Sequence, residues 1–267
     1  MQKRNNKSSN QSQNRLPSGQ VMIYGRHPVL LAITSSRRKI YQILVTKNNE
    51  SDLKKFLSDK KINLNSLIKI VDNEYLGNLF PQGQGINVTH QGFVAIASIL
   101  NPISYNQFLD KIENVETKNL PNLLVLDNLT DPQNIGSIIR SAAAFGFKNV
   151  VISERHFPLQ SPVVAKASSG MIEMVDLIAI PNLNNFLGDI KKIGYWSIGL
   201  AGEAQEYIEK VKDYKPIVLV VGSEGDGIRK LVKENCDLLL KIPMQEGVES
   251  LNASVAAAVA MYEINRS

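Results

Sequence analysis

Three segments of this sequence contain residues that could take part in chemistry, and the first is an apolar helix that carries a lone cation. Asp131 can cap this helix, and a largely apolar run follows it. Arg140 lies at helical spacing from Gly136 and Ala144, so small residues border its permanently charged guanidinium. Arg140 is therefore either a site residue or a solvated surface arginine, and Asn134 is either a site amide or a cap.

The second segment, LVVGSEGDGIRK at residues 219–230, runs from an apolar strand into a loop with three glycines. Glycines at this place permit a ligand to approach the backbone closely, or they allow an unusual turn. The loop is neither a Walker loop nor a G-x-G-x-x-G dinucleotide motif. A tight connection between a strand and a helix would explain the glycines, but it would not explain Glu224.

The third segment, KIPMQEGVESLNASVAAAVAMYE at residues 241–263, is predicted to end in a helix. An apolar stripe runs along this helix at helical spacing, formed by Leu251, Val255, Val259 and Tyr262. The stripe indicates that the helix is tightly packed. Three polar residues mark its start, namely Ser250, Asn252 and Ser254. Each of them is either a helix cap or a site residue.

The composition is that of an ordinary globular protein, with 43% hydrophobic and 21% charged residues. The net charge is +5, of which Lys3, Arg4, Lys7 and Arg15 contribute +4, and this leaves +1 for the remainder. Residues 1–19 are predicted to be a disordered basic tail. Nucleic-acid binding by the folded part would therefore need a local basic patch.

Two folded units joined by a linker are predicted. Residues 20–100 alternate short apolar runs with amphipathic stretches, which indicates a small α/β unit. Residues 101–119 are predicted to be a polar linker with one amphipathic helix. In residues 120–267, apolar strands alternate with helices, one of them at 204–212, as in a parallel sheet covered on both faces. Ligands bind such sheets at the carboxyl ends of the strands.

One cysteine, Cys236, and three scattered histidines predict neither an internal disulfide nor a metal site. No apolar run is long enough to span a membrane, and the N-terminus lacks the apolar stretch of a secretory signal. The sequence therefore predicts a cytoplasmic protein without membrane contact.

In order and spacing, the three segments resemble the motifs of the SpoU branch of the SPOUT RNA methyltransferases. These motifs are an Asn with an Arg six residues on, a G-x-E-G-x-G loop and an I-P-M…S-L-N-x-S ending. Upstream, MIYGRHPVLLAI and HQGFVA resemble the RNA-binding domain, related to a ribosomal-protein fold, of bacterial 23S rRNA guanosine 2′-O-methyltransferases. The resemblance covers residues 21–266. It departs at Glu246, where the family commonly has glycine, and at Ala253, where valine is usual.

The resemblance implies an α/β fold in which a small RNA-binding domain precedes a mostly parallel sheet with a C-terminal trefoil knot. It implies S-adenosylmethionine as the cofactor, held by Gly202, Gly222, Ile242, Met244 and Leu251. The implied reaction is methyl transfer to a ribose 2′-hydroxyl of RNA, with a guanosine of 23S rRNA as the expected target. The implied catalytic residues are Asn134, Arg140, Glu224, Ser250 and Asn252. Because arginine stays protonated, Arg140 is expected to stabilise the developing oxyanion, or to work with a phosphate that takes the proton.

The implied partners are ribosomal RNA and a second copy of the chain, since the related enzymes are dimers. Arg26, Arg37, Arg38 and Lys39 form a candidate phosphate-binding cluster, for which the alternative is a solvated charged face. Two other functions stay open: a tRNA 2′-O-methyltransferase, and a non-catalytic RNA-binding or ribosome-assembly factor of the same fold. A nicotinamide dehydrogenase is disfavoured because the phosphate-binding fingerprint is absent.

Overall fold

In the residues that the structure describes, the N-terminal unit has a four-stranded sheet and three α-helices. The computed structural model describes residues 16–80, 89–155 and 157–266, so most of the predicted tail lies outside the described residues. The elements of this unit are β1 (Gln20–Tyr24), α1 (Arg26–Thr34), β2 (Ile40–Thr46), α2 (Glu50–Asp59), β3 (Ile68–Val71), α3 (Asn73–Asn78) and β4 (Phe93–Ser98). The strand order is β1-β4-β2-β3, in which β2 and β3 are parallel and the other neighbours are antiparallel.

Alternation along β2 divides the core of this unit between the two faces of its sheet. Ile43 and Val45 pack with the buried residues of α1 and α2, whereas Leu44 packs with Leu76 of α3. Apolar residues on successive positions of one strand therefore hold helices on both faces.

The C-terminal unit is a parallel sheet of eight strands covered by helices. Its strands are β5 (Ile103–Ser104), β6 (Leu123–Leu126), β7 (Asn149–Ser153), β8 (Asp176–Ile180), β9 (Trp196–Leu200), β10 (Glu206–Tyr207), β11 (Ile217–Val221) and β12 (Leu238–Lys241). Its helices are α4 (Tyr105–Ile112), α5 (Pro132–Ala144), α6 (Pro162–Ala167), α7 (Leu183–Lys192), α8 (Lys230–Asn235) and α9 (Ala253–Arg266). The strand order is β10-β12-β9-β11-β6-β7-β8-β5, and all of these neighbours are parallel. The predicted parallel sheet is confirmed.

The central strands β6 and β11 are apolar throughout because both faces of the sheet are covered. Every residue of these two strands is buried. Since neighbouring parallel strands end at the same edge, the loops that follow β6, β9, β11 and β12 lie side by side. Helix α9 packs against α5 and contacts β11, and its buried residues include Ala257, Ala260 and Met261. The tight packing predicted for the stripe of α9 is wrong for Val255, Val259 and Tyr262, which are exposed because the alanine-rich face of the helix is buried instead. The threading of the C-terminal segment into a knot stays a prediction.

Two stretches, 204–212 and 101–119, differ from their predicted structure. The helix predicted at 204–212 is wrong: β10 pairs with β12 and is followed by a 3-10 helix, Ile208–Asp213, because the sheet edge competes for this backbone. The amphipathic helix predicted within 101–119 is confirmed as α4. Its apolar face, with Phe108 and Ile112, is buried in the core of the C-terminal unit, and β5 pairs with β8. These residues of the expected linker therefore pack as part of that unit.

Candidate active site

Three side chains from three separate segments of the chain form one hydrogen-bonded network. Asn134 Nδ2 donates to Glu224 Oε2 at 3.0 Å. Asn252 Nδ2 donates to Asn134 Oδ1 at 3.0 Å and to Glu224 Oε2 at 3.2 Å. The structure thus brings together three of the five residues predicted to be catalytic. We call them the Asn134–Glu224–Asn252 network.

Each member of the network is positioned by the element that carries it. Asp131 caps α5 by accepting hydrogen bonds from the backbone N–H groups of Gln133 and Asn134, which fixes the start of the helix. Asn252 precedes α9, and its Oδ1 accepts hydrogen bonds from the backbone N–H and the hydroxyl of Ser254 at 2.9 and 2.6 Å. Asn252 is therefore a cap and a member of the network at once.

Glu224 lies in the loop after β11, which folds back on itself so closely that its first residue must be glycine. The backbone N–H and C=O groups of Ser223 pair with those of Gly227 at 3.0 and 3.1 Å. A Cβ at Gly222 would lie 2.1 Å from the carbonyl carbon of Gly227. Gly225 and Gly227 have φ angles of +94° and +66°, which favour glycine. The strand therefore turns sharply and directs Glu224 toward α5 and α9.

Asp127 and Arg229, which are not among the predicted site residues, hold this loop in place. Asp127 directly follows β6 and is fully buried. Its carboxylate accepts hydrogen bonds from the backbone N–H of Arg229 at 2.8 Å and from Nε at 2.7 Å. The available signal was an acid at the end of an apolar strand, since a buried carboxylate needs a partner. This ion pair joins the end of β6 to the loop after β11.

A cavity of about 350 Å³ opens beside the network at the carboxyl ends of β9, β11 and β12. It is lined by all five residues predicted to hold the cofactor, namely Gly202, Gly222, Ile242, Met244 and Leu251. Glu224 and Ser250 also line it. The structure therefore brings the predicted cofactor residues together around one space, next to two of the predicted catalytic residues.

The lining of this cavity fits a ligand with both apolar and hydrogen-bonding parts, as S-adenosylmethionine has. Leu200, Val221 and Leu240 provide an apolar wall at the strand ends. The Oγ of Ser223 is buried and has no hydrogen-bond partner among the described residues. Because buried hydroxyls in folded proteins normally have a partner, this one favours a ligand that supplies it. At the rim, Lys233 donates a hydrogen bond to Glu203 and thereby lowers the pKa of that carboxyl.

Arg140 and Ser250 lie outside the hydrogen-bonded network. Arg140 is exposed on α5 and has no hydrogen-bond or ion-pair partner within the described part of the chain. Arg140 follows Asn134 by six residues, so the two side chains point about 120° apart around the helix axis. Ser250 is exposed on the loop before α9 and faces the cavity without a hydrogen bond to the residues that are described.

The four basic residues predicted to contact RNA do not form one open cluster. Arg26 is ion-paired with Asp52 at 2.8 Å, which raises the pKa of the guanidinium and lowers that of the carboxyl. Arg38 is only 8% exposed, which argues against a phosphate contact there. The Arg37 guanidinium donates to backbone carbonyls of the C-terminal unit. Lys39 is exposed, with its Nζ 5.3 Å from the centre of the Tyr41 ring.

Neither a metal site nor a membrane segment is found in the described ranges. Across residues 16–80, 89–155 and 157–266, no three His, Cys, Asp or Glu side chains are grouped in a way that could hold a metal ion. None of the helices in these ranges has the length and apolar character needed to cross a membrane. Burial raises the pKa of the Cys236 thiol to about 12, so this thiol is protonated at neutral pH.

Two family models match the chain and together cover most of it. The model of the SpoU rRNA Methylase family matches residues 121–262. The model for RNA 2′-O ribose methyltransferase substrate binding matches residues 22–103. The chain therefore belongs to the SpoU rRNA methylase family, a family of RNA 2′-O-methyltransferases.

Individual relatives agree with this assignment over nearly the full length. The chain is 37% identical over 251 residues to a Staphylococcus haemolyticus protein assigned to the TrmH family of tRNA/rRNA methyltransferases, covering 92% of this chain and 95% of that one. It is 34% identical over 244 residues to the 23S rRNA (guanosine-2′-O-)-methyltransferase RlmB of Coxiella burnetii, covering 91% and 94%. The fold is similar to that of the SpoU methyltransferase AviRb of Streptomyces viridochromogenes, crystallised with AdoMet, with a TM-score of 0.72 at 20% identity over 93% and 90% of the two chains.

Ser223 provides a test of the cavity. We expect Ser223→Ala to weaken S-adenosylmethionine binding about fivefold, because one ligand hydrogen bond is lost. The thermal midpoint of the ligand-free protein should not fall, since the removed hydroxyl has no partner. Isothermal titration and thermal unfolding check both outcomes. In the control Ser197→Ala, a hydroxyl that donates to Asp237 at 2.6 Å is lost, so the midpoint should fall while ligand affinity stays unchanged. An unchanged affinity in Ser223→Ala would contradict the assignment.

Proposed function

We propose that this protein transfers a methyl group from S-adenosylmethionine to a ribose 2′-hydroxyl of RNA, and that its target is a guanosine of 23S rRNA. The convergence of three distant segments in the Asn134–Glu224–Asn252 network, beside a cavity lined by the predicted cofactor residues, carries the proposal. The relative RlmB, at 34% identity over nearly the whole chain, supports the guanosine target. A cytoplasmic site of action belongs to the same proposal.

In the proposed mechanism, the cofactor supplies an electrophilic methyl group on a sulfonium. Gly202, Gly222, Ile242, Met244 and Leu251 would hold it in the cavity. The Oε1 of Glu224 has no hydrogen-bond partner among the described residues, so it is free to accept a hydrogen bond from a bound ligand. Asn134 and Asn252 hold the carboxylate from its other side, through Oε2.

Arg140 is proposed to act on the nucleophile. A ribose hydroxyl is barely ionised at neutral pH, so its proton must pass to an acceptor, a phosphate of the RNA or water, as the oxygen attacks the methyl group. A positive charge beside the oxygen stabilises the oxyanion that develops in this step. An arginine does not give up its own proton readily, but it stabilises a developing oxyanion well. The absence of an intramolecular partner within the described ranges leaves this guanidinium available for such a role.

The position of Arg140 supports a homodimer. Val255, Val259 and Tyr262 of α9 are 48%, 39% and 54% exposed, and an apolar stripe of this kind is typical of a contact surface. Tyr262 packs edge-to-face on Phe145 at the end of α5, so the stripe continues onto the helix that carries Arg140. Pairing through this face would bury the stripe and bring the partner's Arg140 close to the contact. Shared active sites are part of the proposal.

The function is tested by incubating the protein with labelled S-adenosylmethionine and either rRNA from a strain that lacks the modification or tRNA. We expect label in 23S rRNA at one guanosine, alkali-resistant at the following phosphate as a 2′-O-methyl group requires. Label in tRNA alone would replace the rRNA target with the tRNA alternative. Cofactor binding without transfer to either RNA would favour a non-catalytic RNA-binding factor.

Removal of the charge at Arg140 should affect the chemical step alone. We expect Arg140→Ala to lower kcat about 100- to 1000-fold, as loss of one oxyanion-stabilising group does, while S-adenosylmethionine affinity stays unchanged. Single-turnover methyl transfer with a saturating RNA measures this step. Arg155→Ala, at another exposed arginine, is the matched control and should leave kcat unchanged. Normal turnover by Arg140→Ala would refute the role.

A charge in the apolar stripe should separate the dimer. We expect Val259→Lys to sediment as a monomer and to lose methyl transfer, because pairing would bury an unpaired ammonium. Leu231→Lys, at an exposed leucine on α8, should sediment like the unaltered protein. Analytical ultracentrifugation decides between the two states. A Val259→Lys protein that remains dimeric would place the contact elsewhere.

A further inference from the structure

A buried ion pair links the N-terminal unit to the C-terminal unit. Arg38 Nε donates to Glu173 Oε1 at 2.7 Å, and the two side chains are only 3% and 1% exposed. Arg38 Nη1 also donates to the carbonyl of Ser98, and the hydroxyl of Ser35 donates to Glu173. Glu173 belongs to a 3-10 helix, Met171–Met174, so residues of the N-terminal unit contact this short helix directly.

The neighbouring Arg37 holds the end of the same 3-10 helix. Its Nη1 donates to the carbonyl oxygens of Glu173 and Val175. Its Nη2 lies 3.7 Å from Asp176 Oδ1. A guanidinium has five N–H donors in a fixed plane. These contacts therefore fix both the orientation of the N-terminal unit and its distance from the C-terminal unit.

Close backbone packing supports the polar contacts. Gly170 precedes the 3-10 helix with φ +84°, and a Cβ there would lie 2.8 Å from Pro28 Cα and 3.0 Å from the Leu31 side chain. Buried residues of the two units form one continuous apolar cluster, in which Val29 and Ile33 of α1 join Ile172. The contact therefore has the character of a protein core rather than of a flexible tether.

The same region touches the helix that carries the active-site residues. The 3-10 helix and α6 both pack against α5. A Cβ at Gly136 would lie 2.4 Å from Ala167 Cβ and 2.9 Å from the Ser168 N atom, so α5 and α6 are in close contact. A short path of packed atoms thus runs from the N-terminal unit to Asn134 and Arg140.

Resting on the proposed function, we propose that Arg37, Arg38, Gly170 and Glu173 form an interdomain joint that positions the RNA. The joint holds the RNA-binding unit at a fixed distance and angle from the Asn134–Glu224–Asn252 network. This fixed distance and angle therefore determine which ribose of a bound RNA reaches the cavity. Arg37 and Arg38 are positioning residues, because they act on the RNA through the orientation of the unit rather than by contact with phosphates.

The buried pair suits this role because its energy depends strongly on geometry. Two charges removed from water recover the cost of desolvation only when they meet in a good arrangement. A displaced unit would leave Arg38 or Glu173 buried without its partner, which is strongly unfavourable. An apolar contact alone would tolerate small rotations, since hydrophobic attraction has no direction.

The test loosens the joint without touching the cavity. Gly170→Ala places a methyl group against Pro28, whereas Gly19→Ala has a comparable φ of +81° with no atom within 4 Å and controls for backbone strain. Two substrates are compared: an rRNA fragment with its helices around the mapped target, and a short single-stranded oligonucleotide containing the target alone. We expect Gly170→Ala to lower kcat/KM on the long fragment about 10- to 100-fold and to methylate neighbouring nucleotides. Turnover of the oligonucleotide and cofactor affinity should stay unchanged.

A second pair of variants separates positioning from stability. Glu173→Gln leaves the Arg38 charge buried without its counterion and should reproduce the Gly170→Ala effect. Arg38→Met combined with Glu173→Met replaces the pair by apolar groups, so it should recover the thermal midpoint of the unaltered protein. It should not recover the single methylation site, because an apolar contact tolerates small rotations of the unit. Equal losses on the long and short RNAs, or unchanged kcat/KM and site choice in Gly170→Ala, would overturn the proposal.

Small-angle scattering provides a readout that does not depend on methyl transfer. Gly170→Ala and Glu173→Gln should widen the distance distribution relative to the unaltered protein and Gly19→Ala. If the unaltered protein transfers no methyl group while these variants widen the distribution, the proposed function fails and the rigid joint stands. If transfer is normal and the distribution does not change, the joint fails and the function stands.

Discussion

The hydrogen-bonded contact of Glu224 with Asn134 and Asn252 is the interaction on which the proposed active site depends. It joins residues that are 90 and 28 positions away from Glu224 along the chain. Closing loops of this length costs conformational entropy, which three side-chain hydrogen bonds do not offset. The contact therefore exists because the parallel sheet has already brought the loops after β6, β11 and β12 to one edge. The network is thus a consequence of the fold and contributes little to forming it.

Two features transmit the geometry of the sheet to the network. The Asp127–Arg229 ion pair joins the end of β6 to the loop after β11, and its carboxylate is fully buried. Gly222 lets that loop fold directly back on the strand end, which no residue with a Cβ would permit. The cavity floor is consequently made of backbone and strand ends.

The basic residues at the start of the N-terminal unit show that the role of a charged side chain depends on its surroundings in the folded chain. Along the sequence, Arg37, Arg38 and Lys39 form a compact positive run, and such runs favour nucleic-acid binding. In the folded chain, two of the three charges meet carbonyl and carboxylate oxygens of the other unit. In the proposed joint, Arg37 and Arg38 contribute to RNA recognition through the orientation of the N-terminal unit. Contact with RNA remains a prediction for Lys39 and Arg26.

The sequence by itself determined the features that depend on local pattern. Apolar runs alternating with amphipathic ones specify a parallel sheet covered on both faces, because strand and helix periodicities are local. The glycine loop, the polar start of α9 and the cap before α5 likewise follow from neighbouring residues.

Tertiary structure alone decided the partners of buried polar groups: Glu173 lies 135 residues from Arg38, and Arg229 lies 102 residues from Asp127. It also decided that residues 206–207 pair with β12 rather than form a helix, and that Ser223 Oγ is left without a partner among the described residues. The sequence does not reveal which distant atom will contact a given charge or hydroxyl, because tertiary packing determines that contact.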